Sequence, residues 1–532
     1  MQITTQLSGT RIIFYLILII IISLGLKLYT VDFSIPAHSD DFGYILDSIQ
    51  YGEGDFFISQ KKHPGWSLVL TPFMTIINSD NFLDHASAAR ILSIAISTIT
   101  IVPMYILARR FFDEKYSLVA SCLFAFEPHL NYNAGTALSE PLFIFVLILS
   151  MIFILNDKIK YHYLAFIFVG LCWWIRLEAI YPIIAIISIY FIAHRAKSNS
   201  LRNFFFCLIF LFLIISPLFI QRDIQFNDPF YIWQSGTILS EDYAELLTTP
   251  ENAGIGDFVE KHGILGLIDR LANGLLNLFS TLARMLYPYL FILLPFGILF
   301  SLRPVGQKMN NIKANWIIII SIISVLTVAF AIFDERRYLL PIFPFLIILS
   351  TIPIQRITNY GLDTFSFSET HKSAFLIITV SIAFLLSCIF TMGIGEFGYG
   401  SPNSSLEYEK IKFTENLIEN FDGRILRDQT VDDYLAYVNL TSGDNNFKTF
   451  KAPRGKDPYP DLYEPGKVVR ISVYGKTIEE LIINGETKGL KYIGILEDGS
   501  YFFPFLNDIY FNEENYPYMK KVFDSDAIGY QE

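Results

Sequence analysis

The sequence predicts an all-α polytopic membrane domain of about eleven transmembrane helices, followed by a small extracytoplasmic α/β domain. Three observations carry this expectation. Of 532 residues, 52% are hydrophobic and only 17% charged. Several apolar runs reach the roughly 18 residues that fit a bilayer crossing better than a buried core helix. After Met392 the runs stop, and charged and aromatic residues alternate in shorter elements.

The first run, 12–29, is longer than the roughly 7–15 residues of a signal-peptide core, and no small-residue cleavage site follows it. It is expected to stay as a span. Further spans are expected near 85–108, 116–134, 140–156, 162–175, 179–193, 203–220, 275–300, 314–333, 338–354 and 373–392. Lys and Arg concentrate in alternate loops, at 109–115, 157–161, 194–202, 302–313 and 355–372. Positive loops face the cytoplasm, which places the N-terminus inside and, with an odd number of spans, the C-terminal residues outside. The two long loops on the opposite side, 31–84 and 221–274, are acidic.

Within the first outer loop, residues 66–77 are apolar but too short to span, as a helix lying along the membrane surface would be. The chain divides into a membrane domain, 1–392, and an extracytoplasmic soluble domain, 393–532. Residues 393–409 have the Gly, Ser and Asn of a linker. Beyond it, 476–483 is expected as a helix and 491–496 as a strand after the Lys488-Gly489 turn. Sequons at Asn403 and Asn439 suit the outside. No internal repeat stands out, unlike the inverted-repeat transporters.

The formal charge of −11 opposes nucleic-acid binding, which needs a basic face. The four cysteines (Cys122, Cys172, Cys207 and Cys388) lie in apolar segments without metal-ligand spacing and are expected to pack.

Chemistry is expected where charge collects in the outer loops. Asp40 and Asp41 follow the first span by about ten residues. A carboxylate pair there suits a general base or a divalent metal such as Mg or Mn, though the plain alternative is two solvated acids. Lys61 and Lys62 are the only lysines or arginines of that loop, and with His63 they are placed to meet a lipid phosphate or simply to sit at the interface. Ser139-Glu140-Pro141 opens the fourth span as an ordinary helix start, but a carboxylate at the membrane boundary is costly unless paired or used. Arg176-Leu177-Glu178 and Asp334-Glu335-Arg336-Arg337-Tyr338 interrupt apolar sequence on the same side, as functional groups or as structural ion pairs. All five clusters map to one face. Together they hold carboxylates for base or metal work and cations for a phosphate.

The order Asp40-Asp41-x-x-Tyr44, His63-Pro64, Ala89-Arg90, Arg109-Arg110-Phe111-Phe112, Ser139-Glu140-Pro141 and Arg176-x-Glu178 resembles the GT-C membrane glycosyltransferases. It looks most like the branch containing the protein O-mannosyltransferases and the lipid A aminoarabinose transferase. Arg337-Tyr338-Leu339-Leu340-Pro341 is similar to that branch too, and the resemblance covers roughly residues 12–355, most strongly 32–182. It implies transfer of a sugar, with inversion, from a polyprenyl- or dolichyl-phosphate or pyrophosphate to a protein or glycan acceptor outside the cytoplasm. It also implies that Asp40 is the base, with Asp41 standing where the family keeps Glu. His63-Pro64 matches a Lys/His-Pro-Pro pattern near the donor phosphate, with Gly65 in place of the second Pro. Lys62, His63, Arg176, Arg336 and Arg337 are then candidates for the donor phosphate. Glu140 and Glu178 are candidates for metal or donor contact, although Glu140 is one acid where metal-dependent relatives keep two. The membrane expected is an archaeal or bacterial plasma membrane.

Two rivals belong to other classes. A transporter or flippase of lipid-linked sugars should carry ionisable or helix-breaking residues at mid-span, whereas most charges here lie at span ends. A membrane-anchored assembly factor would need far fewer spans.

Overall fold

In the computed structural model the described residues are 9–35, 39–56, 62–77, 79, 81–194, 199–231, 255–302, 336–393, 404–426, 435, 468–471, 473, 475–495 and 503–524. The first span forms as helix α1 (Gly9–Tyr29). The loop after it folds into α2 (Ser39–Gly52), with the paired acid in its first turn, and α3 (Gly65–Ile77), which coincides with the short apolar run. Trp66, Leu70 and Met74 recur every four residues, so they share one face of α3. They pack in one cluster with Phe42 and Ile45 of α2 and with Phe82 and Ala86 of the next helix. Trp66 Nε1 also donates to the Ala137 carbonyl at 2.7 Å. The paired acid therefore sits on a helix docked to the bundle.

Helices α4 (Phe82–Ile99) and α5 (Ile101–Ala108) run on as one 27-residue apolar stretch. Where the sequence suggests a single span at 116–134, the chain forms α6 (Glu114–Ala125) and α7 (Pro128–Ala134). The cause is local. Pro128 has no N–H to continue the ladder, and the Glu127 carboxylate caps the new helix by accepting from the Leu130 N–H at 2.7 Å. Helix α1 satisfies the break: Ser23 Oγ donates to the Ala125 carbonyl at 2.9 Å. Lys27 Nζ donates to Ser23 Oγ at 2.6 Å and to Asn131 Oδ1 at 2.7 Å. Backbone groups freed within a membrane need such internal partners.

Four further helices follow: α8 (Glu140–Ile154), α9 (Ile159–Ile175), α10 (Ile180–His194) and α11 (Ser200–Phe226). The expected span 275–300 is a pair bent by 112°, α12 (Ile255–Met285, kinked at Gly263) and α13 (Leu290–Leu302). A 3-10 segment, Arg336–Ile342, leads into α14 (Phe343–Arg356), and α15 (Glu369–Thr391) is the last apolar helix. The expected span 314–333 lies outside the described residues.

Five described helices are long and apolar enough to cross a bilayer, or six if the bent pair is one span. This is a multi-pass membrane protein, with fewer long helices among the described residues than the eleven runs suggest. Part of the difference is length. Helices α8 and α9 have 15 and 17 residues, and at about 1.5 Å per residue they fall short of a hydrocarbon core about 30 Å thick. They pack instead in the main apolar core with α5, α6, α10 and α14.

Past the last apolar helix, α16 (Ser404–Asn420) begins inside the stretch expected as linker. Three short strands, β1 (Gly423–Leu426), β2 (Val468–Ile471) and β3 (Leu490–Tyr492), form a parallel sheet in the order β2-β1-β3. Helix α17 (Ile478–Thr487) precedes β3, its first turn capped by Thr477, and α18 (Leu506–Phe511) follows it. Leu426, Ile471, Leu481, Phe503 and Leu506 share one apolar cluster.

Candidate active site

Helix α9 ends at Arg176, whose backbone is extended, and one 3-10 turn, Leu177–Ala179, carries the chain into α10. The Arg176 guanidinium reaches three acceptors. Its Nη1 donates to Glu140 Oε1 at 2.5 Å and to Ser139 Oγ at 3.2 Å. Its Nη2 and Nε donate to the two oxygens of Glu178 at 2.5 and 3.2 Å. Burial pulls the guanidinium pKa down, but the two carboxylates outweigh it and hold it well above the usual value. Burial would likewise raise Glu178, and the Arg176 charge overcomes it, so that carboxyl titrates below the usual range.

Two aromatic residues extend this network. Ser139 precedes α8 but makes no side-chain cap to it. Its hydroxyl instead lies 3.3 Å from the Tyr44 hydroxyl of α2. Burial pushes the Tyr44 phenol up, with the charges of Lys62 and Arg176 opposing. Lys62 Nζ stands over the Tyr44 ring, 4.5 Å from its centroid. On another side, the Tyr338 ring has the guanidinium carbons of Arg176 and Arg337 each 5.5 Å from its centroid, within the range of cation–π attraction.

His63, next to Lys62, is engaged within the protein through both nitrogens. Nδ1 lies 2.6 Å from the Trp173 carbonyl and so donates to it, which leaves Nε2 to accept from Arg222 Nη2 at 3.2 Å. Burial lowers this histidine to about 3, and the Arg222 charge adds to the effect, so the ring is neutral. Arg222, near the end of α11, is itself buried and gives its other arm to the Tyr231 carbonyl. Gly65 touches the same end of α9: a Cβ there would lie 2.6 Å from the Trp174 carbonyl oxygen. No residue with a Cβ fits that approach. This is the physical reason for Gly65 where the Lys/His-Pro-Pro pattern has its second Pro.

The two acids of α2 differ in setting. Asp41 is fully buried, and its charge acts on Arg90 of α4, whose Nη1 donates to the Asp32 carbonyl at 2.6 Å. Consecutive residues of a helix point about 100° apart, so Asp40 and Asp41 do not share a face. Asp40 lies one turn before Tyr44 and two before Asp47; its side chain is outside the described residues. Asp47 is buried, which raises its carboxyl to about 7 against the opposing charge of Lys62.

Of the residues singled out in the sequence, the fold thus brings Lys62, Glu140, Arg176, Glu178 and Arg337 together. His63 is turned toward Trp173 and Arg222, and Arg336 is exposed at the start of the 3-10 segment, its charge felt at His129. Asp47 and Arg222 carried no signal in the sequence, since each draws its meaning from a partner in another segment.

A divalent metal was the other use for the carboxylates. Among the described residues no group of three His, Cys, Asp or Glu is arranged to hold one. Glu140 and Glu178 both accept from the single guanidinium of Arg176, which occupies the space between them.

Known proteins resemble this chain over part of its sequence and in fold. The family model described as dolichyl-phosphate-mannose-protein mannosyltransferase matches residues 62–220, the segment that holds Lys62, His63, Glu140, Arg176 and Glu178. No curated protein matches the sequence. Among solved structures, the oligosaccharyltransferase of Archaeoglobus fulgidus in complex with Zn and sulfate is 14% identical, with a TM-score of 0.55 over 90% of this chain and 67% of its own. The same organism's AglB, with an inhibitory peptide and a dolichol-phosphate, is 12% identical at a TM-score of 0.55, over 91% of this chain and 69% of its own. ArnT from Cupriavidus metallidurans, bound to undecaprenyl phosphate, is 12% identical at 0.48, over 81% and 86%. The likeness to the solved structures is one of fold, and the family match lies within the 12–355 stretch over which the motifs resemble the GT-C glycosyltransferases.

Proposed function

We propose that this chain is an inverting glycosyltransferase that moves a sugar from a polyprenyl-phosphate or -pyrophosphate donor to a protein or glycan acceptor on the extracytoplasmic side. The observation that carries the reading is the meeting of Tyr44, Lys62, Ser139, Arg176 and Arg337 at one site from separate segments of a GT-C fold. The family match and the dolichol-phosphate bound in AglB support it.

In the proposed reaction Asp40 takes the proton of the acceptor hydroxyl or amide as its oxygen or nitrogen attacks the anomeric carbon. The bond from that carbon to the phosphate oxygen breaks, and the bonding pair leaves with the lipid phosphate. The charge that gathers there needs fixed cations in a site poor in water. Lys62 and Arg337, both half-buried, are placed for that role. Arg176 is already shared by two carboxylates and acts by holding Ser139, Tyr44 and Tyr338 in place. Asp41, buried beside α4, supports the helix that carries Asp40.

The test uses the full-length protein in detergent with undecaprenyl- and dolichyl-phosphate-linked mannose. The expected result is binding of the lipid-linked sugar and release of the lipid phosphate with transfer, both lost in Asp40→Asn at unchanged thermal stability. Full transfer by that variant removes Asp40 from the reaction. Movement of intact sugar-lipid across vesicles without release would overturn the enzyme reading in favour of a flippase.

A further inference from the structure

Helix α2 gives way at one point to make room for Lys62. A Cβ on Gly43 would lie 2.6 Å from Lys62 Nζ and 3.2 Å from its Cε, so only glycine leaves that volume to the ammonium. The next residue, Tyr44, places its ring face 4.5 Å from the same nitrogen. One turn past Gly43, Asp47 is buried at 5% exposure, and Lys62 is the charge acting against burial at its carboxyl. Residues four apart share a helix face. A gap, an aromatic face and an acid on one helix therefore fix the end of a side chain that is otherwise flexible.

We infer that Gly43 and Asp47 are positioning residues: together with Tyr44 they seat the Lys62 ammonium where it meets a lipid-linked phosphate. This rests on the reading of Lys62 as a donor-phosphate group. A lysine free in solution surrenders rotamer entropy when it binds, and a seat built into the fold removes that cost beforehand. Gly43→Ala is an informative change because the atom in its way is the free end of a side chain. The backbone can stay, and the ammonium moves.

The experiment measures the affinity of the full-length protein in detergent for undecaprenyl phosphate in wild type, G43A, D47N, K62M and the two doubles with K62M. The inference expects G43A to weaken binding about tenfold and D47N about threefold, with neither adding anything to K62M, as coupled residues do. Equal losses in the presence and absence of Lys62, or no loss in G43A and D47N, would overturn the seat while leaving a weakened K62M in support of the phosphate reading. Wild-type binding by K62M would overturn that reading and the seat together. If G43A is too unstable to purify, D47N, which keeps the volume of the acid, decides alone.

Discussion

Lys27 and Arg176 are both buried cations beside the ends of apolar helices, yet their surroundings differ in kind. Lys27 is met by Ser23 and Asn131, and the Glu127 carboxylate close by is committed to capping α7. Every partner there repairs a broken helix. Arg176 binds Glu140, Glu178 and Ser139, and through Ser139 and Tyr338 the network reaches Tyr44, Lys62 and Arg337, of which the last two are only half-buried. The first cluster is closed and the second opens outward. Burying charge is expensive in either place. One cluster offsets the cost of a kink, whereas the other carries charge to half-buried positions, where the proposed donor phosphate would meet it.

Substitutions sharpen the contrast. Asp40→Asn is expected to lower transfer more than about a thousandfold with no change in unfolding temperature, measured on the same preparation. Arg176→Met leaves two carboxylates buried without a counter-ion and is expected to cost about 3–5 kcal/mol of stability. Donor affinity should fall as well, and Arg176→Lys should restore part of each. Lys27→Met should cost about 1–3 kcal/mol, the penalty for stranding the polar groups it serves. Its transfer rate per folded molecule should match wild type, and a large fall in that rate would erase the distinction between the two clusters. Gly65→Ala forces a side chain against the Trp174 carbonyl and should cost about 1–3 kcal/mol, visible as a lower unfolding temperature and a higher KM for donor.

The last effect concerns pH. His63 is held near 3 in the folded protein against 6.5 ordinarily, so below about pH 6.5 the unfolded chain binds the extra proton. Stability from this residue is complete above that pH and is lost as pH falls toward 3, by up to about 1.4 kcal/mol per pH unit. Unfolding temperatures between pH 7 and pH 5 should therefore decline less in His63→Gln than in wild type. Equal slopes would mean that His63 takes up a proton in the folded protein as readily as in the unfolded chain.

What was legible in the sequence was what depends on composition and order. Apolar runs mark α1, α4–α5, α11 and α15, and the spacing of short motifs marks Lys62, Glu140, Arg176, Glu178 and Arg337 before any contact is seen. The break between α6 and α7 was written as Glu127-Pro128, but inside an apolar run it reads as one span. The pairing of Tyr44 with Ser139 was hidden because the two are 95 residues apart. Ser139 also looked like an ordinary helix cap, whereas its hydroxyl is spent on Tyr44 and Arg176. Arg222 is likewise one charge among several at a helix end until His63 is found against it.

Arg222 has a mechanical consequence. One of its arms holds the carbonyl of Tyr231, at the threshold of the second long loop, and the other holds the ring of His63, one residue from Lys62. A planar guanidinium cannot turn one arm without turning the other. The entrance of one loop and the lysine-bearing end of another are thus yoked through a single rigid crosspiece. A pull on the chain beyond Tyr231 would be transmitted to the foot of Lys62 through two side chains, Arg222 and His63.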